Sequence, residues 1–243
     1  MEKTELHPSA AISTMLRNRA KGLERNSIVN GLRQLIGRIQ LTLRGKNRVI
    51  GWNMTPAQAH AFFLNQGKAV LTLLGFSSGY EDEAAMLETV QRILSKNSPE
   101  TYVVNIGATK GGIGAVYPMA KFLGYTTTGI VSTLALEDAA QISEEVDYIC
   151  FIADDRWGGK LPDSNELSPT SQAMVACSHI LISIGGGEIS RDEMLGAREL
   201  GKPIRFFPAE VDHERAIRNA VESGAPKPES FWGEAHEVFS KQG

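Results

Sequence analysis

Aromatic residues are scarce in this chain, 7% of 243 residues, and the first fifty positions contain none. The same stretch gathers positive charge, with ten Lys/Arg against three Asp/Glu, whereas residues 51–243 carry 15 against 25. A basic arm with no ring on which a base could stack is poorly equipped to hold single-stranded nucleic acid. Docking on the acidic remainder of its own chain or of a second subunit accounts for the charge split, so nucleic acid is not the expected partner. Long apolar runs are also missing. None approaches the ~20 residues of a membrane helix, and the N-terminus lacks the charged, apolar and small-residue succession of a secretory signal. Cysteine is nearly absent. Cys150 and Cys177 have apolar neighbours and no metal-ligand spacing, and they read as buried reduced thiols. The expected setting is the cytoplasm, with no membrane partner, no metal and no cofactor.

What is present is an ordinary globular composition, 42% hydrophobic and 22% charged, long enough for one large domain or a domain with an appendage. Ile28, Leu32, Leu35, Ile36, Ile39 and Leu43 fall on one face of a helix over 28–43, with a weaker helical stretch around 9–22. Thr55-Pro56-Ala57-Gln58 is a capping box with proline at the first helical position, and Gly67 ends that helix. Residues 1–66 therefore read as a basic helical extension. From residue 67 to 223 the pattern alternates. Apolar, β-rich runs at 69–75, 101–106, 126–131, 147–153, 179–184 and 203–207 are separated by helical stretches at 81–95, 114–123, 134–145, 169–178 and 191–200, with a last one at 212–223. The runs are near-continuous rather than alternating, as in strands buried on both faces. The expected fold is α/β, a Rossmann-like parallel sheet flanked by helices, followed by a Pro/Gly-rich tail over 224–243.

In such sheets ligands sit outside the carboxyl ends of the strands. There this chain places Gly75-Phe76-Ser77-Ser78-Gly79, then Gly107-Ala108-Thr109-Lys110-Gly111-Gly112-Ile113-Gly114, then Asp154 to Gly159, then Gly185-Gly186-Gly187. Each loop alone is explained as a tight turn. Four at one edge point to an anionic ligand, because backbone without Cβ lets N–H groups approach phosphate oxygens and a following helix adds positive potential. The candidate nucleotide-binding residues are Gly75, Ser77, Thr109, Lys110, Gly111, Gly112, Gly185, Gly186, Gly187, Glu188 and Ser190. Lys110 is either a phosphate contact or a solvated loop lysine. Two familiar motifs fail. Gly107 to Gly112 has the Walker A glycine spacing, but Ile113-Gly114 stand where Lys-Ser/Thr belongs. Gly112-x-Gly114 is followed by Tyr117 rather than a small residue, and no carboxylate near Thr126–Thr128 is placed for a ribose. Ser190 and Glu193 have capping-box spacing; Glu193 equally suits the mouth of a site, as a ribose ligand or a catalytic acid/base.

Gly186-Gly187-Glu188-Ile189-Ser190-Arg191-Asp192-Glu193 resembles the Gly-Gly-x-Gly-Thr-x-x-Glu signature of the LOG proteins, nucleoside-monophosphate phosphoribohydrolases within the wider SLOG superfamily. Ser190 stands for the threonine, Ile189 replaces a glycine and Gly185 the preceding proline. The segments 107–120, Gly75-Phe76-Ser77-Ser78 and 199–207 resemble other parts of that family, so the likeness spans about 68–210. It implies a Rossmann-like fold, a nucleotide held by the glycine loops, and a homodimer or higher homo-oligomer. By the same resemblance Glu193 would be the catalytic carboxylate. The family's catalytic arginine, one helix before the signature, is replaced by Thr170, which supplies no fixed positive charge. Two functions follow: a protein that binds or senses a phosphorylated nucleoside or NAD-derived nucleotide, or an N-glycosidic hydrolase acting on nucleoside monophosphates.

Overall fold

The computed structural model describes residues 48–242. The helices expected over 9–22 and 28–43, and with them most of the basic arm, lie outside the described residues. Seven strands form one parallel sheet: β1 (Arg48–Met54), β2 (Ala69–Gly75), β3 (Tyr102–Ile106), β4 (Thr127–Ser132), β5 (Tyr148–Ile152), β6 (Ile180–Ile184) and β7 (Ile204–Phe207), in the spatial order β1-β5-β4-β3-β2-β6-β7. Helices cover both faces, as the Rossmann-like expectation requires: α1 (Pro56–Leu64), α2 (Glu83–Leu94), α3 (Val116–Phe122), α4 (Pro169–Cys177), α5 (Glu188–Glu199), α6 (His213–Ser223) and α7 (Glu234–Phe239).

Alternation along each strand feeds two cores. In β2, Leu71 and Leu73 point to the layer containing α2 and α3, while Val70 and Leu74 point to the layer containing α1, α4, α5 and α7; β5 divides Ile149 and Phe151 from Cys150 and Ile152 in the same way. The two thiols are free and buried in the second layer, and burial pushes both up to about 12. One polar row crosses that layer. Thr72, Asn105 and Thr128 are register partners on β2, β3 and β4. Asn105 donates to Thr72 Oγ1 at 3.3 Å and accepts from Thr128 Oγ1 at 3.1 Å, while Thr72 and Ser178 share a bond of 2.5 Å. Pairing within the row satisfies polar groups that no water reaches.

Local chemistry sets the helix ends. The Thr55/Gln58 box forms as its sequence predicts, with Gln58 N donating to Thr55 Oγ1 at 3.3 Å and Thr55 N to Gln58 Oε1 at 2.9 Å. Asp82 and Asp212 cap α2 and α6 through the N–H groups of Ala85 and Arg215, both at 2.8 Å.

Three expectations change. Residues 48–54 form an edge strand paired with β5, and Trp52 stacks on Phe151 with centroids 5.4 Å apart; this part of the supposed helical extension belongs to the sheet. The helix expected over 134–145 is a 3-10 segment, Thr133–Gln141, broken at Asp138 (φ −133°, ψ 68°). The tail contains α7, whose Ala235 and Phe239 are buried in the second core layer; two apolar residues four apart give a helix face something to bury. Among the described residues no helix is long and apolar enough to cross a membrane.

Candidate functional site

From β2 the chain lays β3, β4 and β5 outward in one direction, then crosses back to set β6 on the opposite side of β2. The reversal point lies between β2 and β6, and a crevice outside the carboxyl ends of two such strands is where ligands bind in open α/β sheets. Gly75 and Ile184 are register partners there, so the turn Phe76-Ser77 and the triple glycine face each other. The loop after β3 joins them: Ile113 N donates to Phe76 O at 2.8 Å, Gly112 packs on the Phe76 carbonyl, and the Cβ position of Gly111 lies 3.3 Å from Ser77 O. The structure thus brings together Gly75, Ser77, Gly111, Gly112, Gly185, Gly186, Gly187 and Ser190. Thr109 and Lys110 turn their backbones elsewhere, Thr109 bridging to Ile142 and Lys110 N donating to Gln141 O at 2.9 Å. Glu188 is exposed and pairs with Arg191 at 3.2 Å.

The three glycines after β6 are not equivalent. Gly185 (φ 57°) and Gly186 (φ 118°) hold backbone conformations that other residues rarely adopt. Packing needs them as well: a methyl on Gly185 would lie 2.6 Å from the Phe76 ring, and Gly233 approaches so closely that its own Cβ position is 2.5 Å from Gly186 O. These two make the turn and let the C-terminal segment cross it, where Ala235 N donates to Gly186 O at 3.1 Å. Gly187 differs. Its φ of −88° suits any residue, and the nearest atom to its Cβ position is Glu234 Oε2 at 3.3 Å. Neither turn geometry nor backbone crowding asks for glycine at 187. Gly107, just after β3, has nothing among the described residues within 4 Å of its Cβ position. Both are half-buried.

Gly187 is also the N-cap of α5, and no side chain caps that helix. The expected Ser190/Glu193 box does not form. Because the Gly185-Gly186 turn starts the helix at Glu188, Ser190 sits inside the first turn and its hydroxyl donates to Gly75 O at 3.3 Å. Glu193 faces α4 rather than the solvent at a crevice mouth. It is 3% exposed, accepts from Ser171 Oγ at 2.6 Å, and is pushed up to about 8 by burial, with the charge of Asp192 adding to the rise and the Ser171 bond opposing it. Thr170 is buried, and among the described residues its hydroxyl has no partner.

Some neighbours carried no readable sequence signal. Tyr80 links the two strand ends: its hydroxyl accepts from Phe76 N at 3.2 Å and donates to Ile184 O at 2.9 Å. Beyond Ile184 lies a cavity of about 250 Å³ with Met86, Pro208 and Trp232 in its wall. Glu81, Asp82 and Glu210 also line it, and this negative lining does not suit phosphate. The anion-favouring features lie instead at Gly187 and the α5 N-terminus. Among the described residues no group of acidic, histidine and cysteine side chains is arranged to hold a metal.

No protein-family model matches the chain, and no curated protein matches it in sequence. Among solved structures it is similar to TM1055, with 21% identity over 56% of this chain and 72% of that one and a TM-score of 0.41. It is also similar to a molybdenum cofactor binding protein of the phototrophic bacterium Rippkaea orientalis (18% identity, 57% and 76% covered, TM-score 0.43) and to a Moco carrier protein of Chlamydomonas reinhardtii (17% identity, 65% and 85% covered, TM-score 0.40).

Proposed function

We propose that this protein binds a phosphorylated nucleoside in the crevice between β2 and β6, with its phosphate on the uncapped N-terminus of α5. The observation that carries this reading is Gly187: a glycine required by neither backbone conformation nor backbone packing, at the N-cap of a 12-residue helix with no side-chain cap, at the sheet's reversal point. The N–H groups of the first turn and the helix dipole favour an anion there, and a residue without Cβ leaves the backbone approach open once the exposed Glu234 carboxylate, 3.3 Å from the Cβ position, turns away. Gly107 keeps the neighbouring strand end open in the same way.

Binding without turnover is the better-supported form of this reading. Cleavage of a ribosyl–base bond develops negative charge on the departing base, which a fixed cation or a reachable acid stabilises. Arg191 is tied to Asp192 at 2.9 Å and to Glu188, Arg156 is exposed, and Thr170 is neutral. Glu193 keeps its proton at neutral pH but is enclosed against Ser171. The N-glycosidic hydrolase is the second reading, because Glu193 is a carboxyl held protonated on α5, the helix of the proposed phosphate site, and such a reaction uses an acid.

Thermal unfolding with millimolar nucleoside mono-, di- and triphosphates tests the first reading. A ligand at about a hundred times its Kd stabilises by about 2.7 kcal/mol. The absence of any stabilisation across the set would overturn it. Release of free base from nucleoside monophosphates at about one per second, abolished in Glu193→Ala, would replace it with the hydrolase.

A further inference from the structure

Trp157 is 56% exposed, yet the backbone that carries it is fixed on both sides. Before it, Asp154 Oδ1 accepts from Arg156 N at 3.0 Å, while Oδ2 accepts from Ser168 Oγ at 2.9 Å and Thr170 N at 2.8 Å. After it, Gly159 N donates to Ser171 Oγ at 2.8 Å, Ser168 N to Gly159 O at 2.8 Å, and Lys160 N to Asp192 Oδ2 at 3.0 Å. Five of these six bonds end on buried side chains of the loop, α4 or α5, so the loop is anchored rather than loosely draped. A tryptophan is the largest apolar side chain a protein has, and holding it outward on an anchored loop forgoes the burial that would stabilise the fold.

Its position gives it a use. Gly158, next in the chain, is buried against α5: its Cβ position lies 3.0 Å from Ile189 Cγ2 and 2.9 Å from Ser171 Oγ. Ile189, 39% exposed, belongs to the first turn of α5, immediately after Gly187 and Glu188. Trp157 and Ile189 are therefore two exposed apolar side chains joined through one glycine, beside the helix end where the phosphate is proposed to sit. Of the other exposed large apolar residues among those described, Leu64, Phe122 and Val221 lie on other helices, Leu200 ends α5, and Trp232 is already stacked on His236.

We infer that Trp157, edged by Ile189, is the stacking platform for the base of the bound nucleotide and selects ligands with a flat aromatic ring, purines above all. The inference rests on the nucleotide reading of the crevice. An indole offers its whole face to a ring, and stacking of this kind is sequence-tolerant but size-dependent. Trp157 here is a specificity residue, acting on the base and not on the phosphate.

The experiment uses the full chain and three probes, AMP, GMP and ribose 5-phosphate, with calorimetry for affinity and tryptophan fluorescence for contact. Trp157→Ala is expected to weaken AMP and GMP by about tenfold or more, the size of one base-stacking contact, and to leave ribose 5-phosphate unchanged. Trp157→Phe is expected to restore most of the affinity while losing the fluorescence quenching that wild type shows on adding AMP. If Trp157→Ala binds the purine nucleotides as wild type does, the platform is overturned and the nucleotide site stands. Equal weakening of ribose 5-phosphate would assign Trp157 to loop structure and overturn the platform, as would a change in sedimenting mass with unchanged affinity, which would make Trp157 a subunit contact. Failure of wild type to bind any of the three overturns the crevice reading and the platform with it.

Discussion

The Ser171 hydroxyl donates a 2.6 Å hydrogen bond to the Glu193 carboxyl, and both side chains are closed to solvent. Gly159 N donates to the same hydroxyl at 2.8 Å, so one short chain of bonds ties the loop after β5 to α4 and α5. Burial is the largest influence on Glu193 and raises it from an ordinary 4.5 to about 8. The folded protein thus holds this proton more tightly than the unfolded chain does. The stabilisation is complete below about pH 4.5 and is lost as pH rises through about 8, with a slope of at most about 1.4 kcal/mol per pH unit. Glu193→Gln keeps a hydrogen-bonding group without a titrating proton. Its unfolding temperature is expected to match wild type near pH 4.5 and to exceed it increasingly up to pH 8. Parallel curves for the two proteins across pH 5–9 would show that Glu193 titrates normally.

Gly187→Asp separates folding from binding. The backbone at 187 (φ −88°, ψ −155°) is one an N-cap aspartate adopts, and its carboxylate would accept from the open N–H groups of α5. An aspartate cap in place of glycine gains only a few tenths of a kcal/mol, and the Glu234 carboxylate, 3.3 Å from the new Cβ, offsets part of it. The expected protein folds as wild type within about a degree and shows no stabilisation by nucleotides. Undiminished nucleotide binding by Gly187→Asp in the same titration would move the anion site away from α5.

Much of this architecture was legible because strand and helix signals were strong where burial was two-sided. The runs at 69–75, 147–153 and 179–184 are strands within a residue or two of the expected bounds. β1 escaped because an edge strand with Gly51 inside it and two register shifts against β5 lacks a sustained apolar run. Ser190 and Glu193 misled for a different reason. Their spacing fits a capping box, but the positive φ angles of Gly185 and Gly186 start the helix at Glu188, and spacing alone does not fix where a helix begins. The glycine loops were visible as a group. Which glycines are forced by packing and which are free, Gly185 and Gly186 against Gly187 and Gly107, depends on neighbours far along the chain, Phe76, Ala209 and Gly233 among them.

Thr170 offers a test of how α4 accommodates a buried polar group. Its N–H is bonded to Asp154 Oδ2 at 2.8 Å, but its hydroxyl is buried with no partner among the described residues. Thr170→Val keeps the shape and the backbone bond and removes the unsatisfied group. A buried polar atom left unpaired costs about 1–3 kcal/mol, so the variant is expected to be more stable by about 1 kcal/mol, raising the unfolding temperature by roughly 2–4 °C for a domain of this size. The check is the denaturant midpoint at unchanged m-value. A loss of stability would mean that the hydroxyl has a partner, such as an enclosed water.

Lys202 closes the far end of the same helix. Its ammonium group donates to three carbonyls where α4 ends, Val175 at 2.8 Å, Ala176 at 3.0 Å and Ser178 at 2.6 Å. The last carbonyls of a helix have no intrahelical donor, and the negative end of the dipole favours a cation there. A lysine suits this arrangement because three donors on a compact head can reach three acceptors at once, whereas the planar guanidinium of arginine directs its donors into one plane. Lys202→Met preserves the apolar stem but removes every donor. Each bond to a charged group contributes about 1.5–3 kcal/mol when made singly, but three bonds sharing one partly accessible ammonium do not add. The expected loss is about 2–3 kcal/mol by denaturant unfolding, with Lys202→Arg recovering only part of it. Because the cap lies beyond the N-terminal strand ends of the sheet, opposite the crevice, nucleotide affinity measured on the folded variant is expected to stay at the wild-type value. A large fall in affinity at unchanged stability would place Lys202 in the binding machinery instead.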